Sequence, residues 1–141
     1  MKLSMRLLMA SVAAGALLGL AGCGGGDDGS AGGGGDPALV GSWRMTGMSV
    51  NGGPMFPPAT IGWDVQVQLN ADGSASATEV WQGSTESGGG GWSTTGNQLN
   101  LDVGSYNWTG PYTVSANQFT LTGVANYDGE GHTGGFVFSR L

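Results

Sequence analysis

The side chains able to do chemistry are few and scattered. The 141-residue chain has one cysteine and one histidine. It therefore cannot close an intramolecular disulfide, build a paired-cysteine metal site or gather the several histidines of most catalytic zinc centres. The histidine, His132, stands in Asn126 to Gly135 (NYDGEGHTGG) with Asp128 and Glu130. Three donors at alternate positions of a glycine-rich loop match no metal-ligand spacing, and solvation of the loop accounts for them. Glu79 lies two residues before Trp81, where burial would raise its pKa, but the sequence sets no second carboxylate beside it for acid/base work. Nothing local gives His132 a triad. The expectation is no enzyme: no catalytic residue, no metal and no cofactor. Four Lys and Arg against ten Asp and Glu, a net charge of -6, also exclude nucleic acid, which requires a basic stripe.

The cysteine has a place of its own. Lys2 and Arg6 form a positive N-terminal region, and Leu7 to Gly22 (LLMASVAAGALLGLAG) is an uncharged apolar run, the pattern of an export signal. It is marginal as a membrane span, since crossing the hydrocarbon takes ~20 residues. Leu20-Ala21-Gly22-Cys23 resembles the lipobox of bacterial lipoproteins. The resemblance implies a signal peptide over 1–22 and acylation of Cys23, with the membrane as a partner through the acyl chains. Two or three chains would hold durably, at ~0.8 kcal/mol per buried CH₂. Gly24 in place of Asp after the cysteine implies, by the enteric rule, the outer membrane. The domain would then sit in the periplasm or at the cell surface.

Removal of 1–22 leaves Arg44 and Arg140 against ten carboxylates, eight negative charges net. Residues 23–37 read as the acylated cysteine and a flexible Gly/Asp linker (GGGDDGSAGGGGDP after the Cys), reaching ~20 Å. The folded domain is expected over 38–141. There the chain shows no helical period, and turn signals recur at the spacing of an all-β domain. Ile61, Trp63, Val65, Val67 and Leu69 alternate with Gly62, Asp64, Gln66 and Gln68, one face apolar and one wet. Strands are expected at Val40–Val50, Ile61–Leu69, Ser74–Gln82, Gly91–Thr95, Gln98–Val103, Tyr106–Ser115, Gln118–Val124 and Gly135–Arg140. An ungapped repeat supports the register: WSTTGNQLNL from Trp92 matches YTVSANQFTL from Tyr112, twenty residues on. Tandem hairpins imply an up-and-down meander, and eight antiparallel strands tend to close into a β-barrel because closure removes exposed edges.

Gly41-Ser42-Trp43 on the first strand, with Arg140 near the end of the last, resembles the Gly-x-Trp motif and closing arginine of the lipocalin and calycin barrels. The turn grammar over Leu39 to Leu141 is similar to that of small lipocalin-like domains of bacterial lipoproteins. The helix and the TDY-type motif of true lipocalins are missing. The resemblance implies that Arg140 packs across Trp43 and ties the first strand to the last, a contact of ~0.5–2 kcal/mol.

An eight-stranded barrel is just filled by side chains or holds one small ligand. Alternation points Trp43, Met45, Trp63, Val65, Val67, Trp92, Leu99, Leu101, Tyr112, Val114, Phe119, Leu121, Phe136 and Phe138 inward. Either these are simply core, or small residues at Gly47, Ala75, Ala77 and Thr94 leave a void. In the second case Trp63, Val65, Trp92, Tyr112, Phe119, Phe136 and Phe138 line a cavity for a small hydrophobic molecule or lipid. The loop Asn51 to Thr60 (NGGPMFPPAT) carries Met55 and Phe56 among three prolines, as a lid, a contact for an envelope protein, or a plug of the barrel end. The alternative to a hydrophobic carrier is a monomeric interaction or hydrolase-inhibitor module with a filled core, acting through its acidic surface and that loop.

Overall fold

The computed structural model describes residues 34–141; segment 1–22, Cys23 and residues 24–33 of the expected linker lie outside the described residues. The strands are β1 (Gly41–Val50), β2 (Trp63–Leu69), β3 (Ser74–Trp81), β4 (Ser84–Thr95), β5 (Gln98–Val103), β6 (Tyr106–Val114), β7 (Gln118–Val124) and β8 (Gly134–Arg140). Each pairs antiparallel with the next, and β1 pairs with β8, so the sheet closes on itself. The chain is all-β, an up-and-down eight-stranded barrel, and this architecture fits a lipocalin-like fold.

Alternation produces the core. β2 turns Trp63, Val65, Val67 and Leu69 inward, β5 turns Leu99, Leu101 and Val103, and β8 turns Phe136 and Phe138. Aromatic rings then meet across the interior. Trp43 stands edge-on to Phe119 at 4.9 Å, Phe119 stacks on Phe138 at 4.6 Å, and Trp108 stacks on Phe136 at 4.2 Å. Trp108 is fully buried yet absent from the expected inward set, although it shares its parity with Tyr106, Tyr112 and Val114 on β6. Tyr112 and Val114 are only partly buried, packed against the core at the end of β6 where it pairs with β7.

Three local departures from the expected pattern have physical causes. β4 starts at Ser84, not Gly91; its first half, STESGGGG, offers no apolar alternation yet pairs with β3 along its whole length. A Cβ on Gly88 would lie 2.5 Å from Cα of Gly104, and one on Gly90 would run into the Asp102 carbonyl. Glycine is what lets the two backbones approach there. Ile61 ends a 3-10 turn, Pro58–Ile61, and Gly62 at φ 73° redirects the chain, so β2 begins at Trp63. In β1 a bulge between Met45 and Gly47 shifts the register against β8. Met48 therefore takes the inward place opposite Phe136, and Gly47, expected to leave an interior void, lies under the Met55 side chain.

One end of the barrel is sealed. Asp36 caps a 3-10 turn, Pro37–Leu39, through Ala38 N, and its own N–H donates to Thr94 Oγ1 at 2.9 Å. Tyr112 Oη donates to the same carboxylate at 3.1 Å. Leu39 is buried as a plug, and its carbonyl accepts from Trp43 Nε1 at 2.8 Å. Gly34 to Asp36, placed by the sequence reading in the linker, thus lie against the barrel. The Arg140 guanidinium lies 4.1 Å over the Trp43 ring and donates to the carbonyls of Ala116, Val40 and Ala38 at 2.7–2.9 Å.

Candidate functional site

The opposite end, the mouth, collects the loop between β1 and β2, the Gln82-Gly83 and Gly104-Ser105 turns, and the loop between β7 and β8. All the chemically capable groups singled out above, apart from Cys23, gather here. Their arrangement differs from what spacing implied.

Glu79 has a partner. The two-residue turn at Gln82 (φ 48°) and Gly83 (φ 88°) sets Glu79 directly opposite Glu86 in the ladder between β3 and β4. Residues so opposed have Cβ atoms ~4.5–5.5 Å apart on the same face. By parity it is the inner face, which Ala75 and Ala77 share with Glu79 and Trp92 with Glu86, but at this rim Glu79 is only half-buried and Glu86 is exposed. The sequence reading, which set no second carboxylate beside Glu79, is corrected on this point. The signal was the tight Gln-Gly turn, hidden by an expected strand that began seven residues late.

These carboxylates, with Ala77, Gly88, Gly104, Ser105 and Tyr106, line an open cleft of about 150 Å³. Trp63 Nε1 donates to Glu79 Oε1 at 2.5 Å. Tyr106 is 9 % exposed, and its hydroxyl is buried without completing a hydrogen bond. Burial first, then the Glu79 carboxylate within the hydroxyl's reach, and only last the more distant Glu86 charge push that phenol's pKa far up, against a smaller pull from Trp63, so it stays protonated and neutral. Tyr106 is not among the residues that spacing and motif had singled out.

On the loop after β7, Asp128, Glu130 and His132 converge with donor atoms within 4.8 Å of one another. Asp128 Oδ1 accepts from Glu130 N at 2.9 Å, and its Oδ2 meets His132 Nδ1 at 2.5 Å. The hydrogen bond and charge of Asp128 raise the His132 pKa. The Asp128 pKa is pulled down by the same bond, against a burial that pushes it up. The group is a partly buried hydrogen-bonded cluster that ties the loop to itself, an ion pair when His132 is protonated.

The β1–β2 loop is fixed to the barrel by a two-way backbone bridge between Phe56 and Met48, with bonds of 2.8 and 2.9 Å. Phe56 packs partly buried against the core, whereas Met55 is 51 % and Ile61 40 % exposed. Of the residues expected to line a cavity, Trp63, Val65, Trp92, Phe119, Phe136 and Phe138 are buried among one another, and Tyr112 belongs to the sealed end. A second cleft, about 180 Å³, opens on the outer surface over Gln66, Gln68 and Ser76. Among the described residues, no helix is long and apolar enough to cross a membrane. No protein-family model matches the chain, and no curated protein matches its sequence.

Proposed function

We propose that the chain is a lipid-anchored protein of the cell envelope, acylated at Cys23, whose barrel is a protein-binding module of the hydrolase-inhibitor kind. The observation carrying this choice over a hydrophobic carrier is the filled interior: Trp43, Trp63, Trp92, Trp108, Phe119, Phe136 and Phe138 occupy the space a lipid would need. An eight-stranded barrel holds one small ligand or its own side chains, and these are large ones. With the interior occupied, recognition falls to the mouth. There a loop stiffened by three prolines and bridged to β1 holds Met55 and Ile61 in water. Preorganised apolar side chains on a rigid loop lose little entropy on binding. An acidic surface around them favours a cationic partner.

Native mass spectrometry of the chain purified from membranes tests both parts. The expected spectrum shows acyl mass that survives denaturation and maps to Cys23, with no discrete non-covalent adduct. A lipid-mass adduct lost on denaturation overturns the filled-module reading. Unmodified Cys23 overturns the anchor. A photo-crosslinker at Met55 is expected to capture a defined envelope protein, less efficiently as salt is raised.

A further inference from the structure

We infer that the mouth docks a basic polypeptide segment, an apolar side chain set among lysines or arginines, onto the exposed pair Met55 and Ile61. The inference rests on the protein-binding reading above and names its partner by chemistry. Two of the three large apolar side chains that stand exposed among the described residues, Met55 and Ile61, belong to the connection between β1 and β2. That connection is held on both sides. Asn51 N donates to Thr133 O at 2.7 Å and Thr133 N to Asn51 Oδ1 at 2.9 Å, which joins it to the β7–β8 loop. Gln82 N donates to Gly62 O at 2.9 Å, which joins it to the β3–β4 turn. These bonds make three loops one surface. Apolar side chains held in water on such a frame let a partner gain burial at little ordering cost.

Charge gives the partner its sign. The β3–β4 hairpin on one side carries Glu79 and Glu86, and the β7–β8 loop on the other carries Asp128 and Glu130. The cations are placed elsewhere. Among the described residues, Arg44 pairs with Asp64 on the outer face and Arg140 lies at the sealed end, while His132 turns to Asp128. Glu86 and Glu130 both stand exposed to water, where a partner's lysine or arginine can reach them. An apolar centre inside a charged rim is the anatomy of a non-obligate protein interface: the centre supplies affinity, and the rim supplies approach rate and choice of partner.

The same charge argues against the other occupants of an exposed apolar loop. Two copies meeting mouth to mouth about a two-fold axis would set acid against acid. A bilayer surface of anionic headgroups repels the rim, and the described chain joins the barrel at the far end, where Gly34 to Asp36 lie against it. An acidic or neutral segment would cover Met55 without answering Glu86 or Glu130. A basic one does both.

The test follows the methionine methyl signals of the full chain, labelled with ¹³C-methyl methionine, in non-ionic detergent micelles, with Met55 assigned by its loss in Met55→Leu. Acetyl-Lys-Lys-Leu-Phe-Lys-Lys-amide is expected to shift the Met55 signal saturably, while the buried Met45 stays in place and reports whether each variant is folded. Binding should weaken about tenfold between ~20 and ~300 mM salt, as screening of several exposed charge pairs implies. The double variant Glu86→Gln/Glu130→Gln should weaken it several-fold and flatten that salt dependence; Ile61→Ser should weaken it at every salt concentration. Equal binding by acetyl-Ser-Ser-Leu-Phe-Ser-Ser-amide overturns the inference and leaves the protein-binding reading standing. A Met55 shift without peptide, on moving the chain into phosphatidylglycerol nanodiscs or on concentrating it, assigns the loop to a bilayer or a second copy and also overturns it. So does the absence of a saturable shift at ~5 mM lysine peptide. Capture of a partner by the Met55 crosslinker would then keep the protein-binding reading, and no capture would remove that too.

Discussion

Arg140→Ala should unlatch the sealed end of the barrel while leaving the mouth untouched. In the parent the guanidinium covers Trp43 at 4.1 Å and spans three backbone carbonyls, those of Ala38, Val40 and Ala116. These belong to the chain entering β1 and to the β6–β7 turn, so one side chain joins segments that no strand pairing connects. An exposed guanidinium over the face of a buried indole contributes ~0.5–1 kcal/mol, and each backbone hydrogen bond ~0.5–1.5 kcal/mol net. The guanidinium is exposed, so solvent screening trims the sum to about 2 kcal/mol. For a domain of this size that is a loss of roughly 10 °C in melting temperature, read by circular dichroism on the full chain. Arg140→Lys should recover less than half of the loss, because one ammonium cannot fork across three diverging carbonyls. Hydrogen exchange at the Trp43 indole should rise, and that at the Trp63 indole should stay unchanged. A melting temperature within about 2 °C of the parent for Arg140→Ala, or full rescue by lysine, would refute the latch.

Other consequences are checked more briefly. Trp108→Ala removes a fully buried ring stacked on Phe136 at 4.2 Å and should cost ~3–5 kcal/mol, measured by urea denaturation; a cost under about 1 kcal/mol would mean the interior is not packed around it. Glu86→Gln should stabilise the chain by a few tenths of a kcal/mol, since opposed like charges cost ~0.2–1 kcal/mol before screening. A lower melting temperature would indicate that the pair is already compensated. Asp128→Asn should bring the raised His132 pKa down toward its ordinary ~6.5, followed by the ring-proton shift in NMR. The sign with pH follows: His132's share of stability is full below ~6.5 and is lost as pH rises through its raised folded value, so parent and variant should differ more at pH 5.5 than at pH 9. Asp128's share is lost only at the acid extreme, as pH falls through its lowered folded value.

Much of the barrel was legible because its signals are local. The alternation of Trp63 to Leu69, the turn at Asp72-Gly73 and the twenty-residue hairpin repeat each depend on a few neighbouring residues, and of the strands they define β2, β3, β5, β6 and β7 stand within a residue or two of expectation. What escaped was encoded in backbone geometry. Ser84 to Gly91 has no apolar stripe to read; it is a strand because Gly88 and Gly90 let β4 approach β5. The β1 bulge exchanges Gly47 for Met48 on the inner face, and a single extra residue of that kind leaves no trace in composition. Asp36 looked like part of a glycine tether, and only the fold reveals Thr94 and Tyr112 waiting for it. Trp108 could have been found by parity alone.

The missed strand matters most, because the candidate site depends on it. Once β4 is extended back to Ser84, the Gln82-Gly83 turn fixes which residues of β3 and β4 oppose each other, and Glu79 can face no residue but Glu86. The fold could have turned this pair outward, where water would screen it, by a one-residue change of register. It sets both acids at the inner rim instead, Glu79 half-buried beside Tyr106 and Glu86 exposed to water. The other end of the same barrel satisfies its polar groups densely, with Arg140, Asp36, Tyr112 and the Trp43 and Trp92 indoles all bonded. The chain can therefore build a saturated barrel end, and has done so once. At the mouth, by contrast, the bonds run mostly within single loops and hairpins, from Trp63 to Glu79, Asn126 to Gly131 and Asp128 to His132, so no one side chain fastens that end as Arg140 fastens the other.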